Sequence, residues 1–456
     1  MKIGLLTSIP HHQLPGSHLY AQTLSLPLGP LYVGTYLLSH LEGVEVIIRD
    51  EPRHVLESKP DIVGIYSVTQ NFNYACELAR QAKCQGAMTV IGGPHITALP
   101  HRLPPEFDFG VVGEGEKTFL ELVAHLKKGV SCQDPFWKRV EGVSYHESES
   151  KVFFSRRPEE QKIDFFPFPK RSLWAKKLGV AHMITSRGCP FTCSFCSEPA
   201  LWDKYRSHSP RYVVEEIQDI LSHFSVPHIL MADDIFTMNL KRLHEIADLL
   251  EGEGITKKVA LSCWGRAQLI TEEMVAVLKR MNFVYIAFGI ESASPDVLGR
   301  IKKGATIDSN QKAIDLCHEA GLKVGCTFVI SSPDETVSDL EMTYQFIKKN
   351  QKKMAGIEVN PAVPLPGTPL WMYASRRGLV SEEMGDWSLL RDYSIFEEFD
   401  EERYIIVNQH FVEPAYRDFF KRMHDLYREI TERGEIAELT LNYLNPTMDP
   451  AEFHRA

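Results

Sequence analysis

The chain has no excess of positive charge: 50 Lys and Arg face 60 Asp and Glu, a formal net charge of −10 over 456 residues. Surfaces that hold duplex nucleic acid or polyphosphate concentrate cationic side chains, so nucleic acid is not an expected partner. Long apolar runs are missing too. No stretch reaches the roughly 18 uncharged apolar residues that cross a bilayer, and the start Met1 to Pro10 has too short an apolar run for a secretory signal. Nine cysteines, an odd number at irregular spacing apart from one cluster, do not make a disulfide framework. A soluble protein of a reducing cytoplasm is expected. Internal repeats, a second cysteine group and the G-x-G-x-x-G fingerprint of a nicotinamide-binding first turn are also lacking. The length allows about two to four domains.

What is present is Cys189-Pro-Phe-Thr-Cys193-Ser-Phe-Cys196, three thiols in eight residues, directly after the run Ala181 to Gly188. Thiolates this close can converge on one inorganic centre without help from distant chain. Four cysteines normally hold a four-iron cluster; three leave one iron open to a small molecule. Zinc would need a fourth tetrahedral ligand, and His182 or His208 could be proposed, although neither stands at a familiar zinc spacing. Cysteines used only as small buried apolar groups would be scattered.

Residues 1–130 alternate strand and helix patterns. Strands are expected at Lys2 to Thr7, Val44 to Asp50, Asp61 to Ser67, Met88 to Gly93 and Phe109 to Val112, with helices at Leu31 to Leu41, Tyr74 to Lys83 and Thr118 to Lys128. Strict alternation implies right-handed crossovers and a doubly wound parallel sheet. Its ligand belongs outside the carboxyl ends of the strands, which here carry Ser67, Thr69, Gly92, Gly93, Pro94, His95, Gly113, Glu114 and Gly115. Small residues there let a large flat ligand approach the backbone, although glycines at strand ends also serve tight turns in a domain with no ligand. Residues 131–175 read as a hairpin, Val140 to His146 and Lys151 to Phe154, followed by a proline-containing linker, Asp164 to Lys170.

From residue 176 to 370 the alternation resumes with six strand-helix units, too few for an eightfold barrel. Charged residues fall at the carboxyl ends of its strands: Asp233, Asp234, Arg266 and Glu291. Each acid could otherwise be a helix cap or a surface carboxylate. Residues 371–456 are expected to form a mostly helical cap over the barrel mouth, with one convincing helix from Pro414 to Arg433 carrying Phe419, Phe420, Met423 and Tyr427.

The C-x3-C-x2-C spacing, with Phe195 just before the last cysteine, resembles the signature of the radical S-adenosylmethionine (SAM) enzymes. With Pro27-Leu-Gly29 and the glycine-rich strand ends in front of it, the chain resembles the cobalamin-dependent (class B) branch of that family. The resemblance implies an α/β chain with a Rossmann-like cobalamin-binding domain, a partial (β/α)6 barrel and a C-terminal cap. It implies a [4Fe-4S] cluster on Cys189, Cys193 and Cys196, whose open iron chelates SAM and whose electron splits it to a 5′-deoxyadenosyl radical. SAM would be received by Phe195, Asp233, Asp234, Arg266 and Glu291, and cobalamin by the nine residues at the strand ends of the first domain. The implied activity is methylation of an unactivated carbon or phosphorus of a small molecule, SAM being consumed twice per turnover. A flavodoxin or ferredoxin would supply electrons. Two alternatives stay open: a cyclase or rearrangement enzyme with the same fold, and a non-catalytic cobalamin or iron-sulfur sensor. The chain departs from the family at Ser331-Ser332-Pro-Asp334, where Gly-x-Pro-Gly is commoner. The Asp-x-His-x-x-Gly loop of many cobalamin domains is also missing, and His11, His12 and His18 have no aspartate two residues before them. No histidine is therefore expected beneath the cobalt.

Overall fold

The computed structural model describes residues 1–8, 26–49, 51–174, 178–391, 404–411 and 414–431. Its first sheet has seven strands: β1 (Lys2–Thr7), β2 (Glu45–Ile48), β3 (Ile62–Tyr66), β4 (Met88–Gly92), β5 (Phe109–Val111), β6 (Val143–Ser148) and β7 (Lys151–Phe154), in the order β2-β1-β3-β4-β5-β6-β7. The first five run parallel. Their Val, Ile and Leu runs are buried on both faces by flanking helices, as parallel strands require. The order changes direction between β1 and β3, and a crevice opens there beyond the strand ends.

The hairpin expected at Val140 to Phe154 joins this sheet, β6 pairing antiparallel with β5. Left bare, β5 would expose an unpaired ladder edge; the hairpin covers it and buries Val143 and Tyr145. Linker contacts reach both domains. Lys170 N donates to Thr35 Oγ1 at 2.8 Å, and Tyr212 OH donates to Phe166 O at 3.0 Å. At its end, buried Arg171 meets buried Glu216 at 2.5 Å and His182 O at 2.7 Å.

The second sheet contains β8 (Val180–Met183), β11 (His228–Met231), β12 (Ala260–Gly265), β13 (Phe283–Glu291), β14 (Lys323–Ile330) and β15 (Gly356–Pro361), all parallel and in chain order. It is a six-stranded partial barrel. Helices follow the strands on the outside, several opened by side-chain caps: Ser209, Asn239, Thr271, Thr306 and Thr336 each accept the N–H three residues on, worth about 1 kcal/mol apiece. Between β8 and β11, the short antiparallel strands β9 (Ser186–Arg187) and β10 (Arg206–Ser207) clamp the two ends of the cysteine loop.

Helix Pro414–Thr431 does not lie over the barrel mouth, where a cap was expected. It packs on β15 and on helix Val337–Asn350, and Tyr416, Phe419, Met423, Leu426 and Ile430 enter the barrel core. An apolar stripe at helical spacing fills core in preference to water. Phe420 and Tyr427 pack beside it. Segment Trp387–Leu390 packs instead on the first domain beside Thr69–Asn71, with Trp387 N donating to Asn73 Oδ1 at 2.8 Å. The rest of the expected cap (392–403, 412–413, 432–456), like His11, His12 and His18, lies outside the described residues. Among the described residues no helix is long and apolar enough to cross a membrane.

Candidate functional site

A cavity of about 530 Å³ lies between the two sheets. Its floor is the strand ends of the first domain, where Gly29, Gly92, Gly93, Gly113 and Gly115 keep the surface flat beside Tyr66. The opposite wall is the start of the barrel: Arg187, Gly188, Glu198, Trp202 and Asp234. Gly93 is required by its backbone. Its φ is +107°, and a Cβ there would lie 2.7 Å from the Ser67 carbonyl oxygen.

Of the residues expected to meet a corrin, Gly92, Gly93, Pro94, Gly113, Glu114 and Gly115 line this cavity. Ser67, Thr69 and His95 do not. Ser67 accepts a hydrogen bond from Ser8 Oγ at 3.2 Å and is fully buried. Thr69 Oγ1 lies 3.4 Å from His95 Nδ1. The His95 ring stacks on Phe72 at 3.8 Å and meets Trp387 edge-on at 4.6 Å, so it belongs to the junction with the C-terminal segment. Burial lowers this imidazole to about 3. A base whose folded pKa lies below its unfolded value, about 6.5, keeps the fold stable above 6.5 and loses that contribution as pH falls towards the folded value. Stability should drop by up to about 1.4 kcal/mol per pH unit through this group. The melting temperature of the wild type is therefore expected to fall more steeply between pH 6.5 and 4.5 than that of His95→Phe; parallel curves would refute the assignment.

Glu114 carries more than a cavity surface. Arg187 reaches Glu114 at 2.8 Å and Glu116 at 2.7 Å, while Arg206 reaches Glu114 at 3.0 Å. The Arg187 guanidinium also stands 4.5 Å from the Phe166 ring and 5.2 Å from Tyr32. Burial pushes the Glu114 carboxyl up, but the two guanidinium groups outweigh it and hold it below the usual range. These acids belong to the first domain and these bases to the barrel, so buried ion pairs join the two beside the cavity.

The cysteine loop is shaped by backbone contacts. Gly188 has φ +78°, and a Cβ there would lie 2.6 Å from Lys204 O. Ser194 N donates to Ile301 O at 2.9 Å, Leu370 N to Ser194 O at 3.0 Å, and Cys196 N to Cys193 O at 3.1 Å. Phe195 packs against helix Pro295–Arg300. All three thiols are free. Burial pushes the Cys196 thiol up to about 12, with Glu198 and the other two cysteines adding repulsion, and burial also raises Cys189. Thiolates in such a place need a bound cation to offset their charge, as iron ligation provides. The donors therefore fit an iron-sulfur cluster. Of the histidines a zinc site would recruit, His208 bonds Asp164 at 3.2 Å and stacks on Tyr212, and His182 is buried on β8.

The charged strand ends separate into different roles. Asp233 is enclosed: Thr185 donates to it through N and Oγ1, each at 2.5 Å, and Ser186 N donates at 2.7 Å. Burial raises this carboxyl to about 6 against those bonds. Asp234, the next residue, lines the cavity beside Glu198, and burial raises both carboxyls. Arg266 lies under the cysteine loop, its guanidinium 3.6 Å from the Phe191 ring. Glu291 ends β13 in a left-handed conformation, φ +66°, and meets Lys303 Nζ at 2.6 Å in a buried ion pair. A Cβ at Gly289 would collide with that pair. Glu198 and Lys303 escaped the sequence reading, although one stands two residues after Cys196 and the other 12 residues after Glu291. At the departure from the family pattern, Ser331 has φ +59°. Asn408 Nδ2 donates to Ser332 O and Glu335 O there, at 2.7 and 2.8 Å.

The Radical SAM superfamily model matches residues 183–347, and the B12 binding domain model residues 24–123. An uncharacterised methyltransferase of Pyrococcus horikoshii is 33% identical over 377 residues, 78% of this chain and 80% of that protein. The chain belongs to the cobalamin-dependent radical SAM family. Its cofactors are those of the family: a [4Fe-4S] cluster, SAM and cobalamin. Another relative of this radical SAM chain is the anaerobic magnesium-protoporphyrin IX monomethyl ester cyclase of Cereibacter sphaeroides, 28% identical over 69% of the chain but only 53% of the cyclase. Among solved structures, the radical SAM methyltransferase TsrM of Kitasatospora setae shares the fold: TM-score 0.71, 16% identity, 93% of this chain and 89% of that one.

Proposed function

We propose that this radical SAM enzyme is a methyltransferase that acts on an unactivated carbon, or on phosphorus, of a small molecule. The observation that carries this reading is the shared cavity, whose floor is the first domain and whose far wall begins at the cysteine loop. When bound, the cluster and SAM supply a 5′-deoxyadenosyl radical, and cobalamin carries the methyl group. The chain's own residues position the reactants and exclude water and oxygen. Gly92, Gly93, Pro94, Gly113 and Gly115 provide a floor on which a corrin can lie. Glu291, held by Lys303 at one carboxylate oxygen, is proposed to orient SAM with the other, and Asp234 to face the same space. Electrons would come from a flavodoxin or ferredoxin.

Anaerobic incubation of the reconstituted enzyme with methyl-labelled SAM, reductant and cell extract tests the reading. Mass spectrometry should find 5′-deoxyadenosine, S-adenosylhomocysteine and a metabolite heavier by one labelled CH2 unit. In the same assay Glu291→Gln should weaken SAM binding about 10- to 100-fold, the value of one to two charged hydrogen bonds, with the iron content unchanged. Unaltered SAM affinity would leave Glu291 as the partner of Lys303 alone. The cyclase relative supports a second reading, radical cyclisation. A product with no added CH2 unit would favour it and reject methyl transfer.

A further inference from the structure

Arg266 follows β12 and is buried, 4% exposed. Its Nη1 donates to Cys193 Sγ at 3.6 Å, and its plane lies on Phe191, the residue midway between the first two cysteines. Nε and Nη2 are buried without a hydrogen-bond partner, and among the described residues no carboxylate forms an ion pair with this guanidinium. Gly304, with φ +70°, stands next to it: a Cβ there would lie 3.7 Å from Nη2. A buried guanidinium with no counter-charge is strongly unfavourable. Here the negative charge within its reach comes from the cysteine thiolates.

We propose that Arg266 is a positioning residue that sets the reduction potential of the cluster through its charge-assisted bond to Cys193. This rests on the assignment of the cluster to Cys189, Cys193 and Cys196. A two-plus cluster core held by three thiolates has one net negative charge, and reduction by one electron doubles it. The electron comes from an external reductant, and no bond or proton need change. A fixed cation hydrogen-bonded to a ligand sulfur stabilises the more negative, reduced state and so raises the potential. Phe191 keeps the guanidinium flat against the loop, where arginine stacks and lysine cannot.

The experiment is an anaerobic redox titration of reconstituted wild type, Arg266→Gln and Arg266→Lys in the absence of SAM, followed by electron paramagnetic resonance, with iron counted per chain. Arg266→Gln should hold its cluster at a potential lowered by at least 59 mV, a tenfold change in the reduction equilibrium for one electron. Arg266→Lys, which keeps the charge, should titrate closer to wild type than to the Gln variant. Loss of iron in Arg266→Gln but not in Arg266→Lys overturns the proposal, since the residue would then hold the cluster in place rather than set its potential. Equal potentials in wild type and Arg266→Gln overturn it, as does a Lys variant shifted as far as the Gln variant, or loss of iron in both. A purely structural role would change thermal stability and iron content without this ordering of potentials. Failure of the wild type itself to bind iron would overturn the cluster assignment and this proposal with it, and is recognised by that measurement before any variant is compared.

Discussion

The variant in which Cys189, Cys193 and Cys196 are all replaced by Ala will purify without iron and will not cleave SAM. The three thiols are the donors of the loop, and none is tied up in a disulfide. With all three gone, no set of ligands remains to hold four irons. The loop itself should persist, since the bonds that fix it run through the backbone of Ser194 to Ile301 and Leu370. Circular dichroism and cobalamin binding are therefore expected to match wild type. The brown chromophore disappears, and 5′-deoxyadenosine falls to the no-enzyme background, a loss on the order of 10⁶-fold or more. Iron analysis and quantification of 5′-deoxyadenosine check the result. A full complement of iron in the triple variant would remove the cluster from this loop.

Cobalamin binding should fail in Gly92→Phe while the cluster stays intact. A Cβ on Gly92 finds its nearest neighbour, Val111 Cβ, at 4.0 Å, so a side chain can be started there without a clash, on the cavity floor that Gly92 lines. The neighbouring Gly93 is unsuitable for the test, because its positive φ and the Ser67 carbonyl would strain the fold. Affinity for cobalamin is expected to fall at least about 100-fold, near 2.7 kcal/mol. Iron content and SAM cleavage should be retained, with the methylated product lost. Equilibrium binding followed by the corrin absorbance decides it. Affinity equal to wild type would place the corrin outside this cavity.

Much of this arrangement was legible in the sequence. Alternating patterns located β1 to β5 and the six barrel strands, because each buried strand must present a short apolar run and each crossover a longer amphipathic one. The cysteine spacing marked the reactive loop for the same local reason. Side-chain direction was not legible. Asp233 and Asp234 are adjacent, yet in extended backbone successive side chains point to opposite sides. One is locked among Thr185 and Ser186 and the other opens on the cavity. The same limit placed His95 among cavity residues, when its ring turns towards Trp387, a residue nearly three hundred positions away. No local pattern announces such a partner. The hairpin was legible from its own pattern but its docking place was not; only the open edge of β5 explains why it docks there. Lys303 became visible as a partner only when Glu291 was seen to bend into a left-handed conformation.

Chimeras between relatives are a usual route to new substrate ranges, and the buried pairs at Arg187 and Arg206 restrict where such grafts can be cut. A first domain borrowed from another protein must bring acids at the positions of Glu114 and Glu116, or it leaves the Arg187 guanidinium enclosed with no counter-charge, while Arg206 keeps only Glu159. Each broken pair of that kind costs about 3–5 kcal/mol, a large part of the stability of a typical domain. The two halves of this enzyme are consequently exchangeable only as matched sets, and a library of swaps should be screened for those acids before it is screened for activity.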